Sequence, residues 1–247
     1  MKTPALALAL VVVFAAASPA NAQQAAAVDP KAIKALSQIG EKLRSLREYT
    51  VSADVKTRAP MASGQYKDFS GTAKYQVRAP DHLNFAARGI GFDRDVVYDG
   101  RTITVFSPTQ NHYARIEAPG TLSTLMSTIE ERTGFRMVLA QLFAWDDQVQ
   151  LLQGAQRASY SGEALVGGRS CAHYSYKKDG VAWEVFADAQ HLPCKLAFVD
   201  TRDSRLPGYD AELKWVERAT LPDSTFVFTP PAGAAEVGWD AFGAQKK

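Results

Sequence analysis

Four histidines, His82, His112, His173 and His191, lie far apart in the sequence. A metal site needs several imidazole, thiolate or carboxylate donors converging on one point, and this spacing brings no two together locally. We expect no metal. Asp93 and Asp95 flank Arg94, and alternate residues of an extended chain share a face. Such a pair has the composition of an acid/base couple, but as the polar side of a half-buried strand it needs no function, and that is the reading taken. Gly89-x-Gly91 is followed by Arg94 where a dinucleotide-binding turn needs its third glycine, and it joins two β-rich runs rather than a strand and a helix. No phosphate loop, G-x-S-x-G elbow or H-E-x-x-H pair occurs. Chemistry-bearing residues therefore predict no catalytic site and no cofactor, and the chain does not read as an enzyme.

The two remaining reactive residues are Cys171 and Cys194. Lys2 precedes an apolar run over residues 5–17, Pro19 breaks the run, and Ala20-Asn21-Ala22 ends it as a small-x-small cleavage site. This reads as a secretory signal peptide over residues 1–22, too short for a spanning helix; a retained membrane anchor is the competing reading. No later apolar run is long enough to span, so no membrane span is expected after cleavage. Export favours a bonded cysteine pair. Against that, a simple meander puts the two cysteines two strands apart, at about twice the ~4.8 Å strand spacing and beyond easy disulfide reach. A bend after His191-Leu192-Pro193 would bring Cys194 closer, so the bond is left open. Twenty-eight basic against 26 acidic residues, scattered rather than in runs, give no electrostatic case for nucleic acid.

What must position the remaining, mostly apolar, residues is a long series of strands. Asp29-Pro30 caps a helix in which Ile33, Leu36, Ile39, Leu43 and Leu46 recur at helical spacing. The period then becomes two. Tyr49, Val51, Ala53 and Val55 alternate with polar residues, as do Phe69, Ala73, Tyr75 and Val77, then Leu83, Phe85 and Ala87. This marks antiparallel strands with one dry face. Asp99-Gly100 between β-rich runs is a strong hairpin signal, with both turn positions expected at positive φ. Residues 121–132 then read as a helix stopped by Gly134, and residues 136–145 as a second apolar helix followed by a cap at Asp146-Asp147. Strands resume over 157–166, 169–177, 181–187, 195–200 and 209–218.

The count is about eleven strands in a single antiparallel meander, mainly β with three helices. So many twisted strands must curl, and three helices are too few to form a second layer. We expect a strongly curved half barrel, the N-terminal helix and two mid-chain helices covering its mouth. The expected limits are a flexible start at 23–28, one domain over 29–240 and a flexible tail at 241–247. A trough of this kind is either filled by its own side chains or left hollow for an apolar ligand. The helix contacts expected to line it are Leu125, Met126, Leu139, Leu142 and Phe143. Strand candidates are Tyr75, Phe85, Phe92, Tyr98, Trp183, Phe198 and Trp215, which serve equally well as plain core.

The segment "STFVFTPPAGAAEV" resembles the end of the LolA/LolB-like periplasmic lipoprotein carriers, where a strand of the form F-x-F-x-x-P precedes a glycine; Phe226, Phe228, Pro230, Pro231 and Gly233 carry the match here. "VAWEVFADAQHLPCKLAF" resembles a Trp-centred strand of that superfamily. "RAPDHLNF", "VVYDGRTITVFSPTQNHYARIEAPGTL" and "MVLAQLF" look like a predicted periplasmic family of unknown function within it. The resemblance implies an eleven-stranded half barrel closed by helices. It also implies an acyl chain or other lipid as ligand and a periplasmic or outer-membrane protein as partner. A lid-locking arginine would fall to Arg78, Arg88 or Arg94 by position. The expectation is a soluble periplasmic carrier of a hydrophobic ligand; the alternative is a packed interaction module without one.

Overall fold

The computed structural model describes residues 28–61, 63–133, 137–145 and 154–242. The expected signal peptide, residues 23–27, the stop at Gly134, the cap at Asp146-Asp147 and residues 243–247 of the tail lie outside the described residues.

Helix α1 (Pro30–Ser45) starts where the sequence places it. The Asp29 side chain accepts from the Lys31 N–H, and Pro30 occupies the first turn, where a missing N–H costs nothing. Its apolar face, with Ala32, Ala35, Leu36, Ile39 and Leu43, is buried. The strands then follow in chain order: β1 (Glu48–Pro60), β2 (Tyr66–Arg78), β3 (His82–Arg88), β4 (Arg94–Asp99), β5 (Thr102–Ser107) and β6 (His112–Glu117). After helix α2 (Leu122–Thr133) come β7 (Arg157–Val166), β8 (Arg169–Lys178), β9 (Val181–Ala187), β10 (Pro193–Asp200), β11 (Gly208–Val216) and β12 (Ala235–Glu236).

They form one open, curved sheet in the order β12-β6-β5-β4-β3-β2-β1-β11-β10-β9-β8-β7. The count is 12 rather than about eleven, because the two-residue β12 adds a parallel edge to β6. The single meander also needs correcting. β1 lies inside the sheet, paired on one side with β2 and on the other with β11, so two meanders fan outward from it. Alternation in the sequence says which face a side chain takes; it does not say which strand lies next door. The rearrangement matters for the site, because β6 and β7 end up on opposite sides of the sheet. The chain between them must cross, and it carries α2 and residues 137–145 with it.

Trp145, the last residue of the expected second mid-chain helix, is α-helical, but residues 137–144 are not. They hold a three-residue 3-10 helix, Ala140–Leu142, entered through Leu139 at φ 62°, a left-handed backbone that no α-helix continues. The expected F-x-F strand is also absent: a 3-10 helix covers Asp223–Phe226, and Phe228 belongs to no strand. Prolines 222, 230 and 231 supply no N–H to a ladder. This segment instead runs across the outer side of the sheet, with Asp223–Phe226 against β3 and β4 and Phe228 against Phe106 of β5 and Tyr113 of β6. There the Asn84 amide donates to the Thr225 carbonyl (2.7 Å) and His82 packs edge-on against Phe226. At the β4–β5 hairpin only Gly100 has positive φ; the Asp99 carboxylate accepts the N–H groups of Arg101 and Thr102 and closes the turn that way.

A single large core runs along the inner face from α1 to Phe242. A small second cluster, Val166, Cys171, Phe186 and Cys194, holds a Cys171–Cys194 disulfide. Strand β9 ends at Ala187, level with Ala172 on one side and Pro193 on the other, and β10 carries a bulge between Pro193 and Lys195. Past that end nothing separates β8 from β10. The two Cα atoms come to 6.6 Å, within bonding reach.

Candidate functional site

Strands β1 and β2 are 13 residues long, while β9 has 7 and β3 has 7. Their far ends overhang the core. At this end of the sheet the crossover segment roofs a cavity of about 1080 Å³. Thr57 of β1, Phe69 of β2, Trp183 of β9, Phe198 of β10 and Tyr209 of β11 supply the sheet side. Ile90, Gly91 and Phe92 of the β3–β4 turn close one flank.

The roof has two parts. Helix α2 offers Met126 together with Ser123, Thr124, Ser127 and Glu130; the following segment adds Met137, Val138, Ala140, Gln141 and Ala144. The helix therefore buries Leu122, Leu125 and Ile129 in the core and leaves its polar stripe along the cavity. The roof is fastened to the floor. The fully buried Tyr75 donates its hydroxyl to the Val138 carbonyl, and the Trp145 indole N–H donates to the Leu36 carbonyl of α1 at 2.9 Å. Tyr98 donates to the carbonyls of Ala118 and Gly120, both at 2.9 Å, and so anchors the start of the crossover.

Register explains the aromatic floor. Phe198 lies opposite Trp183 on β9 and opposite Tyr209 on β11, so three rings form one row across three strands. Their centroids are 5.8 Å and 6.1 Å apart. At the mouth the Arg202 guanidinium forks onto Asp200 (2.9 and 2.7 Å), and Arg58 pairs with Asp68 at 3.2 Å. Hydrogen bonds from Arg202 hold the Asp200 carboxyl below its usual range. Burial pushes the Tyr75 and Tyr209 phenols well up, so both are neutral hydroxyls.

A family model described as "Predicted periplasmic protein (DUF2092)" matches residues 32–239. The chain belongs to this family. No curated protein sequence matches it. Among solved structures, this DUF2092 protein is similar to the lipoprotein LppX of Mycobacterium tuberculosis, at 15% identity and TM-score 0.48 over 78% of this chain and 100% of that one. It is similar to LprF of Mycobacterium bovis at 10% identity and TM-score 0.49, over 79% and 97% of the two chains. It is likewise similar to a LolA superfamily protein of Nitrosomonas europaea at 13% identity and TM-score 0.36, over 80% and 97%.

The residues singled out from the sequence divide by position. Phe92, Met126, Trp183 and Phe198 line the cavity of this DUF2092 protein. Tyr75, Phe85, Tyr98, Leu125, Leu139 and Leu142 are buried in the core around it. Phe143 packs against Tyr75, with ring centroids 5.4 Å apart. Trp215 packs on Tyr49 at 5.8 Å and donates to the Pro193 carbonyl at the opposite end of the sheet. Phe69, Ile90, Tyr209, Arg58 and Arg202 line the cavity and were not singled out. Phe69 was legible as a dry-face residue, but its depth along the strand was not.

None of the three candidate arginines lines the cavity. Arg78 holds Glu48 and Asp223, Arg88 holds Asp95, and Arg94 lies over the Phe242 ring. Asp93 caps the Gly89 N–H. Of the histidines, His82 contacts Asp81, His112 packs edge-on against Phe242, His173 stacks on Phe186, and His191 sits in a turn at φ 63°. Among the described residues no group of three or more His, Cys, Asp or Glu could hold a metal, and no helix is long and apolar enough to cross a membrane.

Proposed function

We propose that this protein is a soluble periplasmic carrier that holds a lipid, an acylated protein's chain or a similar apolar molecule on the concave side of its sheet. One observation carries the reading: a cavity of about 1080 Å³ whose floor is Phe69, Trp183, Phe198 and Tyr209 and whose roof includes Met126 and Met137. Ligand pockets typically enclose about 300–1,000 Å³ with mostly apolar walls and a few polar groups. Thioethers in the roof suit an adaptable fit. Affinity would come mainly from apolar area removed from water, at ~25 cal/mol per Å² before the costs of association. Three features support the periplasmic setting: the family description, the signal-like first 22 residues and the disulfide.

The test fills the space from a tolerant position. Ser127 is an exposed residue of α2 on the cavity wall, so Ser127→Trp adds an indole there without entering the core. Binding of a pyrene-labelled fatty acid to the purified protein, followed by fluorescence, should weaken at least tenfold in Ser127→Trp at unchanged melting temperature. Undiminished binding in the folded variant, or no binding to the parent protein, sinks the carrier reading.

A further inference from the structure

At the mouth of the cavity two loops from distant parts of the chain meet. Strands β1 and β11 stay paired as far as Arg58 and Gly208. Just beyond, Pro60 and Met61 lead into the β1–β2 turn, and Leu206 and Pro207 end the β10–β11 loop. The two loops are fastened to each other: the Tyr66 hydroxyl donates to the Asp203 carboxylate at 3.2 Å, and the Arg205 guanidinium lies over the Tyr66 ring at 4.3 Å. Each carries a large apolar side chain in solvent, Met61 at 44% and Leu206 at 50% exposure. Both are held in place by their backbones. The Met61 N–H donates to the Gln65 carbonyl at 2.7 Å, and the Leu206 N–H to the Asp203 carbonyl at 2.9 Å. Leu206 sits at φ 51°, a left-handed backbone that suits glycine or asparagine and disfavours leucine. Neither burial nor local conformation accounts for a leucine there, and a disfavoured residue kept at a surface points to a contact made outside the chain.

The surrounding charge says what that contact is. Residues 56–68 and 200–207 carry five basic against three acidic side chains. Asp68, Asp200 and Asp203 are each paired with an arginine, Arg58, Arg202 and Arg205, so the basic excess falls to Lys56 and Lys67. We propose that this edge docks on a phospholipid bilayer with anionic headgroups. Met61 and Leu206 enter the boundary between headgroups and acyl chains, and the basic excess meets the phosphates. Two apolar side chains give a weak, reversible contact, as a protein that must leave the surface requires. The inference goes beyond the carrier reading. It sets the cavity mouth, which Met61 and Pro207 line, against the surface from which an apolar cargo would come.

The test is sedimentation of the purified protein with vesicles of phosphatidylethanolamine and phosphatidylglycerol, with no cavity ligand present. Leu206→Asn keeps the left-handed backbone comfortable, so it should melt no lower than the parent protein, and its vesicle binding should fall at least about fivefold. Lys67→Gln should lose about fivefold on the same vesicles. Leu165→Asn is the control: this leucine is 78% exposed but lies beside the β7–β8 turn, at the other end of these strands, and its loss should leave binding unchanged. Absence of vesicle binding by the parent protein overturns the proposal, as does equal weakening in Leu206→Asn and Leu165→Asn. Equal binding to vesicles of phosphatidylcholine alone overturns the anionic assignment. Self-association of the parent protein in sedimentation velocity without vesicles, abolished by Leu206→Asn, makes a second copy the occupant and overturns it too. Each of these results leaves the carrier reading standing, because that reading is tested by the pyrene-labelled fatty acid in the absence of vesicles.

Discussion

Replacing Tyr75 with Phe removes a single oxygen and tests how the roof is held down. The ring is fully buried between Phe85 and Phe143, so the substitution leaves its packing in place. What disappears is the hydrogen bond to the Val138 carbonyl. A neutral bond of this kind contributes about 1–1.5 kcal/mol net, and for a domain of this size each kcal/mol moves the melting temperature by about 2–4 °C. Tyr75→Phe should therefore melt about 2–6 °C lower in a circular-dichroism scan. Hydrogen exchange should quicken over residues 137–145, the segment the bond tethers. Tyr209→Phe is the internal control. It deletes a hydroxyl of the same kind, one with no partner to lose among the described residues, and should melt no lower than the parent protein. If Tyr75→Phe melts with the parent, or if both variants fall equally, the paired-versus-unpaired account of the two phenols is wrong.

Three further outcomes follow from geometry elsewhere. The Cys171–Cys194 bond closes a loop of 23 residues in sequence, and the double Cys→Ser variant should lose about 3 kcal/mol in urea unfolding; no loss would mean that the β9 end holds β8 and β10 together unaided. A Cβ on Gly71 would lie 2.0 Å from the Arg88 carbonyl oxygen, whereas one on Gly64, at φ +80°, meets nothing within 4 Å. Gly71→Ala should cost about 3 kcal/mol through forced separation of β2 and β3, and Gly64→Ala about 1 kcal/mol through backbone strain alone; the reverse order in denaturant midpoints would contradict the strand contact. Burial raises the phenols of Tyr49, Tyr75, Tyr176 and Tyr209 above the ordinary value of about 10. Because the folded state holds these protons longer than the unfolded one, the stabilisation is complete below about pH 10 and declines as pH rises past it. Ultraviolet titration should find some of the nine tyrosines silent until the chain unfolds, and ionisation of all nine in the folded protein would refute it.

Local physics made much of this protein legible from its residues. The cap at Asp29, the two-residue periodicity of Leu83, Phe85 and Ala87, and the turn at Asp99-Gly100 each depend on neighbours in the chain, and each appears in the structure. The excess of amphipathic strands over helices anticipated an open, curved sheet because a dry face must be covered and a twisted sheet curls. Tertiary structure alone decided the rest. That β11 returns to pair with β1, and so carries α2 and residues 137–145 across the trough, depends on contacts between strands about 150 residues apart. Depth along a strand is equally non-local. Phe198 and Leu196 share a face and a chemistry, but Phe198 floors a cavity and Leu196 is buried in the core, because the helices fill only one end of the trough. Tyr75 and Tyr209 make the same point at a single atom: both are buried phenols, and among the described residues only the position of the Val138 carbonyl, fixed by the crossing chain, gives one of them a partner.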